Sequence, residues 1–262
     1  MLAGSRVPTT RIDLLGCPVD PLTMTQTVAR VEDAIARRET TQHVAINAAK
    51  VVRYQHDEAL RAAVDGCELA TADGQAVVWA ARVLGRPLPE RVAGIDLMDA
   101  LLDVTRSRGY RIFLLGARAD VLERAEAEIC RRYPGVRIVG RHHGYFGPEE
   151  EPAVVDEVAA ATPELLFVAL ETPAKELFLA RNRARLAVPF VMGVGGSFDV
   201  LAGERRRAPR WMRRSGLEWL YRLLQDPRRL ARRYAVGNTQ FVWLVLRDAV
   251  RIRLHPGAAG RG

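Results

Sequence analysis

An aspartate and a glycine, Asp73-Gly74, stand in LATADGQAVVW between a short apolar run and a helical pattern. A carboxylate at that place can cap the coming helix or shape a turn. It can also take a proton from a hydroxyl presented at the strand's carboxyl end. Arg91, in LPERVAGIDLM, precedes Gly94 and Asp96 in what reads as a loop reaching the same edge. Its guanidinium could hold a phosphate, or a developing negative charge, through paired hydrogen bonds. The third feature is the turn MGVGGSFD, with Gly193, Gly195 and Gly196 ahead of Ser197. It fails as a dinucleotide fingerprint, because Phe198 stands where the third glycine belongs, and no Gly-Lys-Ser/Thr follows. What remains is a glycine turn into a helix N-terminus, suited to a diphosphate, with Asp199 available as a cap.

Other candidates are weaker. ETPAKE, with Lys175 and Glu176, follows an apolar run and starts a helix at a proline, which is ordinary helix-start chemistry. His142 and His143 lack a carboxylate or cysteine at ligand spacing and read as a strand-end turn. No GxSxG elbow or HExxH pattern is present.

The elements that must position these residues alternate. Strands are expected over 11–15, 43–46, 68–71, 111–115, 136–140, 165–170 and 190–194. Helices are expected over 25–37, 58–64, 75–83, 119–132, 150–160 and 174–185. That alternation predicts an α/β fold: a largely parallel sheet covered by helices on both faces. Ligands of such sheets gather outside the carboxyl ends of the strands. Asn47, Asp73, Gly116, Glu171 and the Gly193–Gly196 turn all fall there.

The chain has 262 residues, and its net charge of +8 is concentrated at one end. Residues 204–262 hold 15 arginines against four acids, while the remainder is slightly acidic. This divides the chain into an α/β body over 1–203, a basic helical appendage over 204–254 and a disordered tail over 255–262. In the appendage, Ser215-Gly-Leu-Glu218 fits a capping box, and Asp226-Pro227 fits a helix restart. Three of the four tryptophans, Trp211, Trp219 and Trp243, lie there among arginines and leucines. That composition suits a helix lying at a membrane surface, and it also suits a nucleic-acid contact or a plain solvated face. Each basic residue near an anionic leaflet contributes roughly 1 kcal/mol. The run Phe241–Leu246 is too short to cross a bilayer, and no apolar leader opens the chain. Cys17, Cys67 and Cys130 are far apart, which points to a reducing cytoplasm without disulfides or a zinc site.

In order along the chain, VAINAAKVV, ATADGQAVVWAARVLG, RVAGIDLM, FLLGARADVLERA, GYF, ETPAKELF and the long block from MGVGGSFDVLAG through GLEWLYRLLQDPRRLARRY resemble the WecG/TagA/CpsF family of bacterial glycosyltransferases. The resemblance covers about residues 10–235. It implies a cytoplasmic enzyme, peripheral on the inner face of the membrane, acting in surface-polysaccharide assembly. Such an enzyme moves a sugar from a UDP-sugar to a polyprenyl-diphosphate-linked saccharide, inverting and without metal or other cofactor. The family's proposed base falls on Asp73 and its following arginine on Arg91. Asn47, Gly74, Gly116, Lys175, Glu176, Gly193, Gly195, Gly196, Ser197 and Asp199 fall on its substrate side. Phosphate and membrane contacts would come from Arg207, Arg210, Arg214, Arg222, Arg229 and Arg232, with Trp211 and Trp219. Two departures bear on specificity. Ala45-Ile46-Asn47 replaces the threonine of teichoic-acid relatives and resembles aminosugar-uronate transferases, so the sugar expected is of N-acetylmannosaminuronate, glucuronate or glucose type. Lys175 replaces a family glutamine, and a cation there could pair with a donor carboxylate or a phosphate. A catalytically idle scaffold of glycan assembly is the rival reading; a nucleic-acid partner has no signature in the body. The oligomeric state stays open, a homo-oligomer included.

Overall fold

The computed structural model describes residues 10–254, without the side chains at positions 214, 229, 230, 232 and 233. Residues 1–9, the expected tail at 255–262, and the side chains of Arg214, Arg229 and Arg232 therefore lie outside what is described.

Six short runs rich in Val, Ile, Leu and Phe form one all-parallel sheet. They are β3 (Thr41–Ile46), β4 (Leu69–Ala72), β5 (Arg111–Gly116), β6 (Arg137–His142), β7 (Leu165–Ala169) and β8 (Phe190–Gly193). Their order is β4-β3-β8-β7-β5-β6, with parallel pairing throughout. Strands covered on both faces can be apolar at every position, and β7 shows the consequence: Leu165, Leu166, Phe167 and Val168 are all buried. Alternate residues then serve different layers. Ile112, Leu114 and Phe167 join α1 (Met24–Arg37), α5 (Gly94–Arg108), α6 (Ala119–Arg132) and α9 (Ser197–Leu201). Phe113, Leu115, Leu166 and Val168 join α7 (Glu151–Ala161) and α8 (Ala174–Leu186) instead. Each such side chain contributes roughly 1.5–3 kcal/mol by leaving water.

The remaining helices of the body, α2 (Ala48–Tyr54), α3 (Glu58–Asp65) and α4 (Gln75–Val83), build a third cluster around Val51, Leu60, Val64 and Val77. The appendage consists of α10 (Arg210–Arg214), α11 (Glu218–Gln225) and the 28-residue α12 (Pro227–Leu254). α12 returns to the body, where Phe241, Leu244 and Val245 are buried in that third cluster. No described helix is long and apolar enough to cross a membrane.

Three expectations are corrected. The strand expected at 11–15 is not part of the main sheet. It is β1 (Ile12–Leu14), paired antiparallel with β2 (Cys17–Val19). Leu15 and Gly16, with φ of 57° and 83°, form a two-residue turn whose twist suits a hairpin. The expected loop holding Gly94 and Asp96 is the first turn of α5, a helix whose Leu97, Met98, Leu101 and Leu102 face the core. The expected capping box does not form. Ser215 Oγ donates to the carbonyl oxygens of Trp211 and Met212, and α11 starts after Leu217 without a side-chain cap. The expected break at Asp226 is present, with α12 beginning at Pro227.

Candidate active site

Because every strand of the sheet runs the same way, Asn47, Asp73 and the turn after Gly193 emerge at one edge. β3 lies between β4 and β8, so these three are neighbours. Asp73 is not the cap of α4; Gly74 occupies that position. The Asp73 amide donates to Ile46 O (2.9 Å), and its Oδ1 accepts from Gly94 N (2.8 Å). The carboxylate is thereby fixed against the N-terminus of α5, with Oδ2 not used in that bond. Asn47 caps α2 by accepting from Lys50 N at 3.0 Å. Gly74 sits beside it: a Cβ there would lie 3.8 Å from Asn47 Cβ.

Beneath the edge lies a buried charge cluster. Lys50 Nζ donates to Glu176 Oε1 at 2.7 Å, and Lys175 Nζ stands 3.4 Å from the same oxygen. Glu176 is 2% exposed, and its Oε2 has no partner. Burial alone would push the Glu176 carboxyl up; Lys50 and then Lys175 outweigh it and hold it below the usual range. Lys175 is held below the ordinary lysine value by burial and then by Lys50, while Glu176 and Asp73 act the other way. Its side chain lies directly over Gly193, where a Cβ would come within 2.4 Å of Lys175 Cε and 2.9 Å of Nζ. Glycine at that strand end leaves the space to the lysine. His43, on β3, is buried with Nε2 2.8 Å from Thr71 Oγ1. Burial, then Lys50 and Lys175, push it down to about 3, so it is neutral at working pH. Sequence reading passed over Lys50 and His43.

The glycine turn is only partly open to a ligand. Gly195 adopts φ +52°, and a Cβ added there would meet nothing within 4 Å, so its surface is free. Ser197 Oγ donates to Val194 O at 2.7 Å and is buried, so its hydroxyl is spent inside the turn. Asp199 does not cap α9; its Oδ2 is 3.8 Å from Arg205 Nε. Gly116 ends β5, four strands from β4 and so roughly 19 Å from Asp73 by strand spacing. Its φ is +117° and a Cβ would meet Ala169 O at 2.5 Å. It serves close packing of β5 on β7 and is not brought to Asp73.

The appendage closes over the β4 end of this edge. Gly216, at φ +74°, seats the turn between α10 and α11 on the first turn of α4, where a Cβ would meet Gln75 Cγ at 2.8 Å and Trp79 at 3.1 Å. Arg91 Nη1 donates to Glu218 Oε2 (3.0 Å), and Arg222 Nη2 donates to Glu218 Oε1 (2.8 Å). Burial opposes the Glu218 charge, but Arg222 and Arg91 outweigh it and hold the carboxyl below its usual range. The positive charge of Arg222 is favoured by Glu218 and then Asp73, against the cost of partial burial. Asp96 receives Arg207 Nη2 at 2.5 Å, Arg91 Nη2 at 3.4 Å and Arg213 Nη1 at 3.5 Å. Gln75, Arg91, Asp96, Arg210 and Arg213 line an open cleft of about 340 Å³. Arg213 was not among the expected contacts, and its run of neighbouring arginines hid which ones turn inward. Trp211 is exposed, and Trp219 is half-exposed with its ring edge-on to Tyr234.

This combination of a strand-end carboxylate, a glycine turn and an arginine-rich helical cover coincides with a family pattern that spans the chain. The model of the glycosyl transferase WecG/TagA/CpsF family matches residues 12–255. The chain belongs to that family. Among its curated relatives is the N-acetylglucosaminyldiphosphoundecaprenol N-acetyl-beta-D-mannosaminyltransferase of Staphylococcus aureus strain MW2, 33% identical over 234 residues. The match covers 88% of this chain and 91% of that relative. The protein of the same name from strain NCTC 8325 / PS 47 is similar to the same extent, at 33% identity. For a WecG/TagA/CpsF member, the match takes in both the sheet edge and the appendage that covers it.

Proposed function

We propose that this chain transfers a sugar from a UDP-sugar to a polyprenyl-diphosphate-linked N-acetylglucosamine at the inner face of the cytoplasmic membrane. The reading is supported by one observation: Glu218 of the appendage accepts hydrogen bonds from Arg91 of the body and from Arg222, which brings the appendage to the segment just ahead of α5, the helix whose first amide holds Asp73. Asp73 accepts the proton of the acceptor hydroxyl as its oxygen attacks the anomeric carbon. The bond from that carbon to the UDP oxygen breaks on the opposite face, which inverts the configuration. The departing diphosphate gains negative charge, and Arg91, Arg222 and the amides of the 193–196 turn are the groups that would meet it. They do so without a metal. Glu218 holds the two arginines until phosphate oxygens compete for them.

The relatives' name supports N-acetylmannosamine as the donor sugar and the diphosphoundecaprenol-linked acceptor. Lys175 is the feature that would favour a carboxylated sugar, because it sets a cation beneath the turn, whereas the relatives' name gives an uncarboxylated N-acetylmannosamine. Membrane contact is supported by α12, whose outward side exposes Val242, Trp243, Leu246, Val250 and Leu254. Arg247 lies over the Trp243 ring at 4.9 Å, and Arg251 and Arg253 are exposed nearby. Apolar and cationic groups together suit an anionic lipid surface.

The test incubates the purified chain with UDP-N-acetylmannosamine or its uronate, and a short-chain polyprenyl-diphosphate N-acetylglucosamine. UDP release with one donor is expected. No release with any donor would leave the idle-scaffold reading in its place.

A further inference from the structure

Asp96 draws three arginines among the described residues, and neither fold nor family reading gives it a task. It stands in the first turn of α5, two residues after Gly94, whose amide holds Asp73. Three guanidiniums converge on it: Arg91 from the body, and Arg207 and Arg213 from the appendage. Glu218 also pairs with Arg91 and with Arg222, so Asp96 and Glu218 together face four guanidiniums and leave positive charge in excess. The next carboxylate along, Asp99, stands further off, with Arg207 Nη1 at 3.8 Å. The Nε atoms of Arg207 and Arg213 are buried without an acceptor. A buried donor left unpaired costs about 1–3 kcal/mol, so two such donors on arginines that both reach Asp96 mark an arrangement built for an acceptor that arrives later. Arg213 and Arg91 also line the cleft beside Gln75, one residue beyond Gly74.

We propose that Asp96 is a positioning residue: its carboxylate gathers Arg91, Arg207 and Arg213 into an anion receptor and sets that receptor at a fixed place relative to Asp73. The base and the two appendage cations, Arg207 and Arg213, come from segments more than a hundred residues apart in sequence. α5 joins them, because the same helical turn binds the Asp73 carboxylate through its backbone and the arginines through a side chain. An anion of two phosphates fits the excess positive charge better than a monoanion does. The proposal rests on the transferase reading only for the identity of that anion.

The experiment compares the wild-type chain with Asp96→Asn and Asp96→Glu, using inorganic pyrophosphate as the probe. Titration calorimetry gives its affinity, and hydrogen exchange over residues 204–225 gives the seating of the appendage. Asp96→Asn should weaken pyrophosphate binding about tenfold, the equivalent of 1.4 kcal/mol, and speed exchange in α10 and α11. Asp96→Glu restores the charge one methylene further out; it should restore slow exchange while leaving pyrophosphate binding weaker than wild type. A purely structural role would restore both together, and that result overturns the proposal. So does unchanged or tighter pyrophosphate binding in Asp96→Asn, which would make the carboxylate a competitor of the ligand. If Asp96→Asn does not fold, the Asp96→Glu comparison decides alone. Because neither measurement uses a donor sugar, failure of the transferase reading would leave these results intact.

Discussion

Asp73 combines a carboxylate with a structural bond through one of its oxygens, and the two can be separated. Asn at this position still offers an oxygen to Gly94 N, so Asp73→Asn should keep its melting temperature within a few degrees of wild type. Turnover should fall by ~10²–10⁴, the worth of a general base; steady-state UDP release measures it. The glycines separate in a similar way. At Gly116 an added Cβ meets the backbone of Ala169 at 2.5 Å with φ at +117°, and neither can give. At Gly193 the obstacle is Lys175, whose side chain can be driven out. Gly116→Ala should therefore fail to fold, whereas Gly193→Ala should fold with a loss of about 1–3 kcal/mol and much reduced activity. Thermal melts of the two variants check the contrast. Asp73, Arg91 and the glycine turn were legible in the sequence because strand ends announce themselves by an apolar run that stops. Lys50, His43 and the pairing of Lys175 with Gly193 were not, because they depend on which strands become neighbours.

Among the elements, the central strands could be read because burial on both faces leaves unbroken apolar runs. α5 carried a helical signal in Leu97, Met98, Leu101 and Leu102, but its glycine and aspartate start looked like a loop. The capping box at Ser215 was plausible local chemistry overruled by a distant partner, since Glu218 pairs with Arg91 in place of a backbone amide. That junction titrates. Glu218 is held below its ordinary value of 4.5, so its contribution to docking is complete above that value and is lost as pH falls through the lowered one. Hydrogen exchange of the α10 and α11 amides, relative to their intrinsic rates, should accelerate on acidification below about pH 4.5, an ordinary value for glutamate. His43 acts over a wider window. Unfolded it takes up a proton below about 6.5, and folded only near 3, so acid destabilises the whole body by about 1.4 kcal/mol per pH unit between them. Circular dichroism melts across pH 4–7 separate this global slope from the local release.

At the scale of the whole molecule, the charge map was legible and its use was not. Composition showed a cationic end; only the folded chain shows that its arginines divide between an inward set on Asp96 and Glu218 and an outward set beside Trp243. The outward set predicts a separable effect. Trp243→Glu with Leu246→Glu should reduce co-sedimentation with anionic phosphatidylglycerol vesicles severalfold while leaving the melting temperature unchanged, since both side chains are solvent-facing. Vesicles of neutral lipid should bind the wild type less well. Cutting the chain after Gly203 is a poorer test, because it strips Phe241, Leu244 and Val245 from the cluster that covers Val51 and Val77.

That same cluster sets an order on synthesis. Leu14 and Cys17 of the opening hairpin share it with α12, so an early part of the chain waits for one made more than two hundred residues later. On the ribosome the sheet can assemble while one flank stays uncovered. The greasy surface left bare during that interval is where a chaperone would be needed.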